Sequence, residues 1–173
     1  MFDFQHRICY YLEKSVVIFV NFSWTDYNPK KMSFVEKWLD KKAVKLTGID
    51  NGWEDFYEYW KNEDGNVLNQ NYWCKVVYEK NKPFGIIAIG CHEDLFVIME
   101  MLIAPKMRNK GKGSSLIKEL IENGKEILGK EIKRATAVIF PSNIASQKCF
   151  DKAGFAVERI HEDGDAIDYI YNK

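Results

Sequence analysis

The sequence predicts a mixed α/β (α+β) fold, a mostly antiparallel sheet with helices packed on it. Three observations carry this. Apolar, β-branched runs at 72–79, 84–91 and 95–104 follow one another across short polar breaks, the pattern of hairpin-linked strands. Helical and strand periodicities then alternate, with a helix over 113–128, a strand over 132–140 and a helix after Asn143. Finally, 173 residues, 46% hydrophobic and 29% charged, suffice for one well-buried core and fall short of two ordinary domains.

Taken in order, 15–22 (SVVIFVNF) reads as a strand and 29–43 as a helix, with Met32, Phe34, Val35, Trp38 and Leu39 at roughly helical spacing. The segment 52–61 (GWEDFYEYWK) is a short helix or an aromatic loop. Asn81 to Pro83 and His92 to Asp94 supply the turns between the three strands, and Pro105 stops the third because it has no N–H for a ladder. The next helix has Leu116, Ile117, Leu120, Ile121, Ile127 and Leu128 on its apolar face. Pro141-Ser142-Asn143 caps a helix that Gly154 ends, and 155–160 with 166–171 close the chain as a hairpin around Glu162-Asp163-Gly164. No repeat or Pro/Gly-rich linker interrupts this, so the expectation is one domain over 1–173, best supported over 72–173.

Lys+Arg and Asp+Glu each number 25, so nothing global argues for a nucleic-acid or membrane partner. Cys9, Cys74, Cys91 and Cys149 form no C-x-x-C pair and His6, His92 and His161 are scattered, which argues against a metal site and fits a reducing cytoplasm. The apolar run 16–20 is too short to span a bilayer. The expectation is a cytoplasmic monomer or homodimer, with no nucleic-acid, membrane or metal partner.

The most informative stretch is Arg108-Asn109-Lys110-Gly111-Lys112-Gly113-Ser114, between a buried strand and a long helix. Two glycines spaced by one residue let the backbone approach a ligand, and the helix adds its unpaired N–H groups and positive dipole end, a site for a pyrophosphate. It is not a P-loop, which needs four residues between its glycines, nor a dinucleotide fingerprint, because Leu116 stands where a third small residue is required. Without further context the same residues describe a strand-to-helix turn with a solvated basic face.

Further context exists. Ile103-Ala104-Pro105 followed by R-x-x-G-x-G resembles the acyl-CoA motif of the GNAT superfamily of N-acetyltransferases. About thirty residues on, the run from Asn143 through Phe150 to Gly154-Phe155 resembles the same family's second signature, an Asn opening a helix and a Gly-Phe pair turning into the next strand. The resemblance implies a six- to seven-stranded central sheet flanked by about four helices and an acetyl-CoA-dependent N-acetyltransferase, with acetyl-CoA as acyl donor and no metal. An acyl-CoA-binding sensor of the same fold, weak or inactive in catalysis, is the alternative.

It also implies that the strand 95–104 splays from 132–140 to admit the pantetheine arm. Backbone groups of Met101, Leu102 and Ile103 would then hold its amides, and an N–H at Ile103 would polarise the thioester carbonyl. Arg108, Asn109, Lys110, Gly111, Lys112, Gly113 and Ser114 would hold the pyrophosphate, Asn143 the arm, and Phe150 the thiol end. Asn143 is equally a plain N-cap, and the two roles are compatible.

The acceptor amine must lose a proton, and Glu100 is the candidate general base: it is the only charge in 95–103, where a purposeless carboxylate would be costly. Strand alternation would place it on the face of Phe96, Ile98 and Leu102. The family often places a tyrosine seven residues after the motif Asn to protonate the leaving thiolate; here Phe150 stands there, with Tyr169 and Tyr171 as substitutes by residue type alone. Residues 105–134 carry nine Lys/Arg against four Glu, which suits a phosphate-bearing donor. Residues 50–64 carry six Asp/Glu against Lys61, interleaved with aromatics. Trp53, Glu54, Tyr57 and Glu58 are therefore candidate contacts for a cationic acceptor, such as a polyamine, an aminoglycoside-like amine or a peptide amine.

Overall fold

The computed structural model describes residues 22–62 and 71–173. The strand expected at 15–22 lies outside them except for Phe22, as do His6, Cys9, Glu63 and Asp64. Seven strands are present among the described residues: β1 Ser23–Asp26, β2 Tyr72–Glu79, β3 Lys82–His92, β4 Leu95–Ile103, β5 Arg134–Ile139, β6 Ala156–Ile160 and β7 Ile167–Asn172. They form one sheet in the order β1-β2-β3-β4-β5-β7-β6. Every neighbouring pair is antiparallel except β4 with β5, so the expected mostly antiparallel mixed sheet holds.

Among the described residues five α-helices cover the sheet: α1 Lys41–Thr47, α2 Trp53–Asn62, α3 Lys112–Glu122, α4 Gly124–Leu128 and α5 Ile144–Lys152. On one face α3, α4 and α5 pack Leu116, Ile117, Leu120, Leu128 and Phe150 against Phe84, Ile87, Ile89, Phe96 and Ile98. On the other, the N-terminal elements pack Val35, Trp38, Ala43 and Trp53 against Val76, Ile86, Ala88 and Leu102. With both faces covered, β3 is buried along almost its whole length. No described helix is long and apolar enough to cross a membrane.

Three boundaries differ from expectation, the first two for a tertiary reason and the third for a local one. The helix expected over 29–43 is a 3-10 turn, Ser33–Trp38, followed by the separate helix α1. Asp40 makes the break: its carboxylate accepts from the Ala43 N–H (2.9 Å) and is itself held by Arg108, 68 residues away. The helix expected over 113–128 breaks at Asn123, because Gly124 sits so close to Ile132 that a Cβ would meet it at 2.7 Å. The first hairpin turns at Lys80 and Asn81, whose φ values of 49° and 63° suit a tight primed turn, so β3 already includes Pro83. The segment left open between helix and aromatic loop is the helix α2.

Candidate active site

β4 and β5 stay together for only three residue pairs, Leu95 with Arg134, Phe96 with Ala135 and Val97 with Thr136. Beyond them the strands part, as the resemblance implies, because each is held on its other side by an antiparallel partner, β3 and β7. The gap opens into a cavity lined by Ile98 to Met101 on one edge and Ala137 to Phe140 on the other. Asn143, Ser146 and Phe150 of α5 and Leu46 of α1 complete it.

A bulge re-aims β4 at this point. Ile98 pairs with Ile89 and Glu100 with Ala88, which leaves Met99 without a partner on β3. The extra residue swaps the faces of everything that follows. Phe96 and Ile98 face the α3–α5 core, whereas Leu102 belongs to the opposite cluster. The expected grouping of Glu100 with Phe96 and Ile98 is therefore corrected: Glu100 shares its face with Ala88 and Leu102, the face covered by α1 and α2.

Backbone directions follow from two hydrogen bonds. The Ala104 N–H donates to Phe84 O on β3 (2.8 Å), and the Ile103 carbonyl, turned the other way, accepts from Arg108 Nε (2.9 Å). By alternation Leu102 directs its peptide groups to β3, while Met101 and Ile103 direct theirs to the gap. The Met101 N–H donates to the Glu100 carboxylate at 2.9 Å. Burial nevertheless pushes Glu100 up to about 8, the Met101 N–H opposing it. Folded Glu100 thus keeps a proton that an unfolded glutamate releases near 4.5, and its contribution to stability is lost as pH rises from there through about 8.

In the glycine loop, Asn109 (φ 60°) and Gly111 (φ 74°) are left-handed, and Gly111 caps α3 with open space where a Cβ would stand. That is the bare approach a diphosphate needs. Gly113 has a different reason: a Cβ there would meet Cys149 Sγ at 2.7 Å, so its missing side chain lets α3 close on α5. Ser114 is buried and its hydroxyl donates to Gly111 O (3.0 Å).

The loop's cations are mostly engaged elsewhere. Arg108 donates to Ile103 O, Trp38 O (2.7 Å) and Asp40 Oδ2 (2.6 Å), which pins the N-terminal elements to the end of β4. Lys112 pairs with Glu79 at 2.6 Å and lies over the Phe22 and Phe84 rings. Lys110 stays exposed.

Asn143 caps α5, its Oδ1 accepting from the Ser146 N–H (3.2 Å), while also lining the cavity. Phe150 is 4% exposed and packs edge-on against Phe155. Tyr169 and Tyr171 pack beside Phe150 and Phe155 and do not line the cavity, where Ser146 brings the only hydroxyl among the described residues.

The expected acceptor contacts divide. Trp53 has 0% exposure and is core, which removes it as a ligand contact. Glu54 is exposed and Glu58 half-buried. Tyr57 stands edge-on to Tyr27 (5.1 Å) with Lys61 Nζ 5.1 Å from its ring centre, so the protein's own cation already lies on that ring. None of the four lines the cavity. Sequence reasoning missed Leu46, Met99, Val138, Phe140 and Ser146, whose places depend on the bulge, the splay and the fold of α1. It also missed Glu36, which caps α2 from outside by accepting from the Trp53 and Glu54 N–H groups, both at 2.9 Å.

Solved structures share this architecture. An aminoglycoside acetyltransferase AAC(6')-Ib in complex with coenzyme A superposes with a TM-score of 0.68 at 17% identity, over 88% of this chain and 95% of that one. A spermidine N-acetyltransferase SpeG chimera from Vibrio cholerae and hSSAT gives 0.64 at 15% identity, over 87% and 95%. A GNAT-family acetyltransferase from Streptococcus pneumoniae gives 0.58 at 19%, over 88% and 99%. At these identities the likeness is one of fold. Among curated proteins none matches the sequence significantly. The model of the Acetyltransferase (GNAT) family matches residues 31–155, well over half of the sequence, and with the parted strands and the glycine-capped helix this chain belongs to that family.

Proposed function

We propose that this protein transfers an acetyl group from acetyl-CoA to a primary amine. The carrying observation is the cavity between β4 and β5, among whose lining residues Glu100 is the one ionisable side chain, held beside the gap-facing N–H of Met101. The fit of the donor is supported by the open left-handed Gly111 at the start of α3, by exposed Lys110, and by Asn143 and Phe150 on the cavity wall. Arg108 supports the donor site indirectly, by holding the Ile103 carbonyl and α1 in place.

The amine nitrogen attacks the thioester carbon, and the oxyanion of the tetrahedral intermediate is stabilised by a β4 N–H. Met101 is better placed for this than Ile103, because it adjoins the base. Glu100 takes the proton of the attacking nitrogen; a carboxylate near 8 is a far better match for that work than one near 4.5. Collapse then breaks the carbon–sulfur bond. A thiolate is a far better leaving group than an alkoxide and can depart without an acid, so Phe150 in place of a tyrosine does not block the reaction.

The acceptor is a cationic amine in this reading: a polyamine, an aminoglycoside-like amine or a peptide amine. The helix α2, which packs through Trp53, Phe56 and Tyr57 on the sheet face that carries Glu100, also bears Glu54, Asp55 and Glu58, and the superposing enzymes include aminoglycoside and spermidine acetyltransferases. Release of CoA thiol from acetyl-CoA across an amine panel is the test. Polyamines and aminoglycosides should outperform neutral amines, and Glu100→Gln should lose about 10²-fold in kcat/KM together with the inflection near pH 8. Tight CoA binding with no turnover on any amine would instead establish the sensor reading, which the aromatic ring of Phe150 favours.

A further inference from the structure

Two groups need the same hydrogen. In the structure the Met101 N–H is held by the carboxylate of Glu100, the next residue back, at 2.9 Å. This N–H faces the gap, since Ala104 and Ile103 fix the alternation. A thioester carbonyl seated there would need it too, and one N–H does not serve a carboxylate and a carbonyl equally well. The bulge at Met99 causes the proximity by turning Glu100 away from the α3–α5 core and leaving its side chain beside the following peptide.

Resting on the acetyltransferase reading, we infer that Glu100 is a self-capping base: it occupies the oxyanion N–H until the acyl carbonyl displaces it, so that the thioester itself releases the proton acceptor. The displaced carboxylate loses its only hydrogen-bond donor among the described residues. No charged residue lines the cavity in its place: Ala88 stands opposite on β3, and Leu46 of α1, Val138 of β5, Phe140 just after it, the cap residue Asn143 and Ser146 of α5 face the cavity. Glu100 is the only titratable group among the residues that line it. A carboxylate stripped of a donor in an apolar cleft becomes more basic. With an ammonium acceptor present, the proton it gains is the acceptor's, which leaves the amine neutral and ready to attack. Without one, the proton comes from solvent.

That difference makes the inference measurable. Titration calorimetry of the whole protein at pH 8, in two buffers of different ionisation heat, compares acetyl-CoA with S-ethyl-CoA, which carries the same two carbons and phosphates but no carbonyl oxygen. Acetyl-CoA should bind with uptake of up to about half a proton and S-ethyl-CoA with almost none. In Glu100→Gln the uptake should vanish for both. Equal uptake with the two ligands, or uptake that survives in the Gln variant, overturns the inference while leaving the acyl-CoA reading intact. If neither ligand binds, the acyl-CoA reading itself falls and this one with it. The Met101 amide in 15N-labelled protein is a second readout. Its shift should titrate with a midpoint near pH 8 in the free protein and stop doing so in the acetyl-CoA complex; an amide insensitive to pH in the free protein refutes the self-capped state.

Discussion

The loop ahead of α3 and the helix α2 carry opposite charge, and both read as ligand contacts in the sequence, yet the fold uses them differently. The loop exposes what its motif promises, a left-handed glycine with open space above it at a helix N-terminus. Its side chains mostly serve the protein: Arg108 fastens α1 to β4, and Lys112 pairs with Glu79. In α2 the aromatic side chains are the binding promise, and the fold consumes the first of them, since Trp53 is wholly buried and Tyr57 is shared with Tyr27 and Lys61. A ligand contact made by backbone survives folding because the motif that needs it also dictates its conformation. One made by aromatic side chains competes with the core for the same atoms.

Gly113→Val breaks this comparison most forcefully. If Gly113 is a packing glycine, valine costs about 2–3 kcal/mol in chemical denaturation, and Cys149→Ala in the same chain recovers part of it. Unchanged stability with lost CoA binding would return Gly113 to the ligand. The next effect is smaller and separates two cations. Arg108→Ala should cost about 1–2 kcal/mol of stability with little change in CoA affinity once folded, since three hydrogen bonds within the protein are lost. Lys110→Ala should leave stability within about 0.5 kcal/mol and weaken CoA severalfold, as an exposed charge near a phosphate does. The reverse pattern would assign Arg108 to the diphosphate. The smallest effect lies beside α2. The Tyr27 hydroxyl is buried with no hydrogen-bond partner among the described residues, so Tyr27→Phe should leave melting unchanged or raise stability by up to about 1 kcal/mol. A clear rise in acceptor KM in that variant would show that the aromatic cluster is a binding surface after all.

Much of the fold was legible because its signals are local. The hairpin turns, the apolar stripe of α3, the Asn143 cap and the stop at Gly154 each lie within a few residues of what they control. The misread helix boundaries share the opposite property. Asp40, held by Arg108, breaks the expected helix and starts α1 afresh at Lys41, and Gly124 bends the α3–α4 helix against Ile132. In the site, Glu100 stood out as a lone carboxylate in an apolar run, but its face did not. One unpaired residue, Met99, inverts every later side chain of β4, and nothing in its chemistry announces a bulge.

By itself the sequence determined the order of strands and helices, the backbone conformation of the Gly111 loop and the family motifs, because spacing and glycine geometry act within a turn or two of chain. Only the tertiary structure decided where β4 leaves β5, which way Glu100 points, that Arg108 is a clamp and that Trp53 is core. Those outcomes depend on register and close packing between segments tens of residues apart, where a single added residue or a contact of 2.7 Å selects one arrangement over another.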